Sequence, residues 1–126
     1  MHSETMRSVV VWGGSECEDT KASRLLLSRL GVTYQYQDLE YSPLGLGELD
    51  SILGEKLHKK PTIIVFERFD KNEEQIIGFL EEPSGTELLE TMKATGLVAS
   101  GVTLESLKPL PSNNGRATGI KAPDSV

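Results

Sequence analysis

Apolar positions along the chain fall into short runs and spaced sets that predict seven elements. Residues 8–12, SVVVW, form a β-branched run stopped by Gly13 and Gly14, the pattern of a strand buried on both faces. Ala22, Leu25, Leu26, Leu27 and Leu30 then mark one helical face. Ser15 and Glu18 stand before it at capping-box spacing, with Ser15 as the expected N-cap, and Gly31 sits where a helix-terminating glycine belongs. Val32, Tyr34 and Tyr36 alternate with polar residues and run into Asp38 and Leu39, a second strand. Ser42-Pro43 marks a turn. Leu49, Ile52, Leu53 and Leu57 predict a helix over 46–57, weakened by Gly47 and Gly54.

TIIVF at 62–66 follows Pro61 directly and predicts a third strand. Asp70-Lys71-Asn72 reads as a hairpin tip, with the returning strand over 75–79. Ser84 and Glu87 repeat the capping-box spacing and open a helix carrying Leu88, Leu89 and Met92, closed near Gly96. The order is β-α-β-α-β-β-α. A helical crossover makes the first two strands parallel, and a hairpin makes the last two antiparallel. The expected fold is therefore α/β, a four-stranded mixed sheet with helices on both faces.

Composition narrows the class. With 126 residues, 37% of them hydrophobic and 25% charged, the chain has the size and make-up of one globular domain. From Lys108 onward Pro, Ser, Asn and Gly dominate. Residues 7–107 are expected to form the domain and 108–126 a flexible tail. A single cysteine excludes an internal disulfide. Neither a secretory signal nor an apolar run of membrane-spanning length is evident, so a cytoplasmic protein without membrane partners is expected. The net charge is −6; Lys108, Arg116 and Lys121 against Asp124 give the tail +2 and leave residues 1–107 at −8. A body so acidic argues against binding a nucleic-acid backbone. His2 and His58 lack metal-ligand spacing, Gly13-Gly14 lacks the rest of a phosphate loop, and no repeat is present.

Cys17 carries the candidate chemistry. It follows a strand and opens a helix, where unpaired N–H groups and the positive end of the helix dipole favour a thiolate, the nucleophile of disulfide exchange. Position alone equally allows a small, packed cysteine. Pro61 at the start of a strand reads either as an ordinary trans proline or as a cis proline presenting backbone beside the cysteine.

The stretch VVVWGGSECEDTKASRLLLSRLGVTYQYQDLE resembles the opening of glutaredoxins: an apolar strand, C-x-x-C, a helix with a Leu-Leu pair, then L-G-V-x-Y and an extended strand. Cys17, Leu26, Leu27, Leu30, Gly31, Val32, Tyr34 and Asp38 fall at matching places. Lys60-Pro61-Thr62 lies where the family has T-V-P, and Ile77-Gly78-Phe79 matches the end of its fourth strand. The resemblance spans roughly residues 7 to 96 and implies the thioredoxin fold and a cis Pro61.

It further implies monothiol chemistry, because Cys17-Glu18-Asp19-Thr20 puts Thr20 where the second cysteine would be. Cys17 would attack a mixed disulfide, and a second molecule of glutathione or another low-molecular-weight thiol would resolve it as co-substrate, with no bound cofactor or metal. Thr20 would donate its hydroxyl to the sulfur, or else serve as an ordinary first-turn residue. Lys60, Pro61, Thr62 and Gly78 would contact the thiol substrate or a disulfide-containing protein partner, and Trp12 would line the site or simply pack in the core.

Three departures favour a different class, a redox-inactive binding or adaptor module on the same fold: the lost second cysteine, acidic neighbours and degraded ligand contacts. Glu16, Glu18 and Asp19 crowd the cysteine with negative charge. The basic residue usual just before it is absent, and the Gly-Gly-then-Asp ligand segment is reduced to Gly78. Lys56, Lys59 and Lys60 could supply carboxylate contacts instead, or form a solvated patch. The C-G-F-S of cluster-binding monothiol members is not matched.

Overall fold

The computed structural model describes residues 6–70 and 73–107. Seven elements follow in the expected order: β1 (Met6–Gly13), α1 (Glu18–Arg29), β2 (Gln35–Asp38), α2 (Pro43–Leu53), β3 (Thr62–Asp70), β4 (Glu73–Glu81) and α3 (Gly85–Ala94). They build one sheet in the order β2-β1-β3-β4. β1 pairs parallel with β2, Val10 opposite Gln35 and Gly13 opposite Asp38. β1–β3 and β3–β4 are antiparallel. This is a thioredoxin-like topology.

The apolar runs explain why the two central strands lie inside. Alternate residues of a strand point to opposite faces, so a continuous β-branched run fills two layers. Val9, Val11, Ile63 and Val65 pack with Leu27 of α1 and Leu88, Leu89 and Met92 of α3. Val10, Trp12 and Ile64 face the other way and pack with Leu49 of α2. Each fully buried side chain of this kind stabilises the fold by about 1.5–3 kcal/mol. At the end of β1 remote from Gly13, Arg7 ties three elements together. Its Nε and Nη2 each lie 2.9 Å from Glu67 Oε2 on β3, and its Nη1 donates to the Thr95 carbonyl beyond α3 at 2.7 Å.

Several boundaries differ from expectation. The N-cap of α1 is Cys17, not Ser15, and its side chain makes no capping hydrogen bond. Ser15 is instead bonded to Asp38. The Ser42-Pro43 pair opens α2 rather than marking a separate turn. Ser42 Oγ accepts from the Gly45 N–H, and Pro43 stands at the first helical turn, where its missing N–H costs nothing. That helix ends at Leu53, with Gly54 at φ 94°. β1, β3 and β4 are longer than their apolar runs, because hairpin pairing carries the ladder into polar residues from Glu67 to Asp70. The Ser84–Glu87 capping box is present in full. Residues 71 and 72 of the expected hairpin tip, and the tail at 108–126, lie outside the described residues.

Candidate functional site

β1 and β2 are parallel, so their carboxyl ends lie together, and antiparallel β3 begins beside them: Gly13 pairs with Asp38 and Trp12 with Thr62. Three loops therefore meet at one edge of the sheet. The first carries Cys17. Its N–H donates to the Gly14 carbonyl at 3.0 Å, and its own carbonyl accepts from Lys21 N–H, beginning α1. The amides of Glu18, Asp19 and Thr20 are the orphan donors of the first turn. A residue at the N-cap is placed to accept from such amides. Here the sulfur of the partly buried Cys17 instead lies 3.9 Å from the Lys60 carbonyl oxygen, a weak contact.

Gly13 lets α1 approach the strand end closely. A Cβ there would lie 2.5 Å from Thr20 Oγ1 and 2.6 Å from its Cγ2. Thr20 is fully buried, and its Oγ1 accepts from Gly14 N–H at 3.3 Å. The hydroxyl thus braces the loop that carries Cys17.

The second loop is an Asx turn built on Asp38. Its Oδ1 accepts from the Glu40 and Tyr41 amides at 2.8 and 3.0 Å, and its Oδ2 from Tyr36 Oη at 3.3 Å. Leu39 N–H donates back to the Gly13 carbonyl at 2.8 Å. Burial by itself would push the Asp38 carboxyl up, but the bonds from Glu40, Tyr41, Ser15 and Tyr36 together outweigh it and hold it below the usual range. Burial, with the Asp38 charge behind it, pushes the Tyr36 phenol up to about 12. Arg24 from α1 lies over the Tyr36 ring, 3.8 Å from its centroid, and donates to Tyr34 Oη at 3.1 Å.

The third loop leads into β3. The Lys60–Pro61 peptide bond is cis, as the resemblance implies. The Pro61 carbonyl accepts from Glu82 N–H at 2.8 Å, and Thr62 Oγ1 donates to the Lys59 carbonyl at 2.7 Å. His58, its side chain 1% exposed, holds this loop to α2 through a 2.7 Å contact with Asp50. Lys60 Nζ donates to Glu40 Oε2 at 2.8 Å, bridging the second and third loops. That bond holds the Lys60 ammonium above the usual lysine range. Burial opposes it, and the charges of Glu40 and Asp38 add to it.

Among the residues singled out in the sequence, Cys17, Thr20, Lys60, Pro61 and Thr62 come together at this edge. Trp12 is 1% exposed and packs edge-on against Phe66, inside the α2-side core. Gly78 pairs with Val65 within the hairpin, where a Cβ would press on Val65 and Thr91. Lys56 and Lys59 are exposed. Glu40, Ser15 and the Asp50–His58 pair carried no sequence signal for the site, since each acts through a partner distant in the chain or in an adjoining loop. Among the described residues no cluster of His, Cys, Asp or Glu could hold a metal ion, and no helix is long and apolar enough to cross a membrane.

No family model and no curated protein matches the chain. Among solved structures it is similar to a glutaredoxin from Brucella melitensis, with a TM-score of 0.44 and 18% identity over 77% of this chain and 94% of that one. It is also similar to maleylacetoacetate isomerase from Anaeromyxobacter dehalogenans, whose structure holds glutathione in the active site. There the TM-score is 0.42 and the identity 12%, over 73% of this chain and 39% of the isomerase. Likeness at this level assigns no activity, and the thioredoxin-like fold rests on the strand order and register of the chain itself.

Proposed function

We propose that this chain is a glutaredoxin-like monothiol thiol–disulfide oxidoreductase that acts through Cys17. The observation that carries the reading is the setting of the sulfur: in a partly buried cysteine at the N-cap of α1, against the Lys60 carbonyl that precedes Pro61. A thiolate there is served by the open amides of the first turn and by the Lys60 ammonium. It attacks the sulfur of a mixed disulfide, forming an S–S bond to Cys17 as the old one breaks and the leaving thiolate departs. A second low-molecular-weight thiolate attacks the outer sulfur of the Cys17 mixed disulfide, leaves as a low-molecular-weight disulfide and releases the Cys17 thiolate, so the substrate disulfide is reduced as that thiol is oxidised. Thr20 acts here by bracing the Gly14 amide rather than through a described bond to sulfur. Backbone beside Pro61 would pair with an extended peptide-like substrate. A compartment rich in reduced thiols, such as the cytoplasm, suits this cycle.

The competing reading is a redox-inactive binding module, favoured by the exposed Glu16, Glu18 and Asp19 around the sulfur. Reduced protein mixed with glutathione disulfide and, separately, with cystamine separates the two. The enzyme reading expects a mixed disulfide on Cys17, seen by intact mass, formed faster than free cysteine reacts with at least one reagent and reversed by the matching thiol. Cys17→Ser should show none. Reaction no faster than free cysteine with both reagents would leave the binding module.

A further inference from the structure

Glu40 and Lys60 stand twenty positions apart and close a bridge beside the sulfur. Lys60 Nζ is 2.8 Å from Glu40 Oε2, and both side chains are about one-third exposed, 35% and 33%. The carboxylate lies over the cysteine loop, for a Cβ on Gly14 would be 2.9 Å from that same Oε2. The Gly14 carbonyl accepts the Cys17 N–H, and the Lys60 carbonyl touches the Cys17 sulfur. The pair therefore spans both walls of the site. A substrate carboxylate seeking the Lys60 ammonium finds it already held, and Glu40 must be displaced first. Nearby charge works in the same direction: Glu16 and Asp19 are exposed, while Glu18 is met by Lys21 at 3.4 Å.

We propose that Glu40 determines substrate charge preference at this site, withholding Lys60 from anionic disulfides and directing exchange at Cys17 toward disulfides of cationic or uncharged thiols. The inference rests on the reading of Cys17 as an exchanging thiol. The step is the same exchange: one S–S bond forms to Cys17 as one breaks, and the released thiolate takes its proton from solvent.

The test uses the full, reduced chain in single-turnover reactions with anionic glutathione disulfide and with dicationic cystamine, each rate divided by that of free cysteine with the same reagent. The wild type should favour cystamine. Glu40→Gln keeps the side chain's shape, removes its charge and frees Lys60. It should shift the ratio toward glutathione disulfide by about threefold to fivefold, the upper end expected for a partly exposed ion pair, and the shift should shrink at high salt. Adding Lys60→Gln to Glu40→Gln should cancel most of the gain. A ratio unchanged within twofold in Glu40→Gln, with Cys17 still exchanging faster than free cysteine, would overturn the selective role of Glu40 alone. Rates no faster than free cysteine with either reagent would remove the oxidoreductase reading, and this proposal with it.

Discussion

The Cys17 sulfur lies 3.9 Å from the carbonyl oxygen of Lys60, 43 positions further along the chain. The sheet produces this meeting. Parallel β1 and β2 end at one edge, and antiparallel β3 starts there, so the loop after β1, the turn after β2 and the loop before β3 share one corner. Hydrogen bonds then lock the corner: Leu39 to Gly13, Asp38 to its own turn, Lys60 to Glu40.

Asp38 makes the corner sensitive to acid. Its folded carboxyl is held below the usual range, so the stability it contributes is present above the unfolded value of about 3.9. That contribution is lost as pH falls through the lower, folded value. Asp38→Ala should cost about 2 kcal/mol at neutral pH, for a charged acceptor with several donors. The cost should fade as pH falls through the lowered folded value, where the wild-type carboxyl also protonates. Urea unfolding of both proteins across a pH series from neutral into acid checks this; a gap that stays constant down to the most acid pH at which the protein folds would show that the charge of Asp38 is not what holds the turn.

Gly13 and Thr20 should behave as a coupled pair. A Cβ at Gly13 lands 2.5 Å from Thr20 Oγ1, so Gly13→Ala should destabilise by about 1–3 kcal/mol through overpacking. Thr20→Ala removes both closest atoms, and in the double variant most of the clash penalty should disappear. A double-mutant cycle on urea midpoints measures the coupling. Additive effects would mean that α1 does not press on the strand end as described.

The Asp50–His58 pair should set the rigidity of the cis-proline loop. His58 is buried at 2.7 Å from Asp50, and Asp50→Ala would leave a buried ring nitrogen without that partner, at a cost of about 1–3 kcal/mol. Adding His58→Leu should recover part of the loss, since an apolar side chain needs no partner there. Amide hydrogen exchange across residues 58–62 should quicken in Asp50→Ala. Unchanged protection together with unchanged stability would deny the pair its anchoring role.

Much was legible in the chain because the relevant physics is local. Period-2 and period-3.6 spacing of apolar side chains established all seven elements, their order and the mixed sheet, and the Ser84–Glu87 spacing marked the start of α3 down to both of its reciprocal bonds. The placement of Cys17 between a strand and a helix, and of Pro61 at the start of a strand, was likewise visible, since each depends on a few neighbouring residues. Tertiary structure decided the rest. Ser15 had the right chemistry for an N-cap, but Asp38 from β2 engages it, and the cap passes to Cys17. Gly78 and Trp12 matched a pattern, yet sheet register places one against Val65 and the other in the core beneath α2. The Glu40–Lys60 bridge joins loops twenty positions apart, and Asp50–His58 links a helix to the loop beyond it. Such pairings arise only when strand register and helix packing bring loop ends together, and no local periodicity encodes which charges will then face each other.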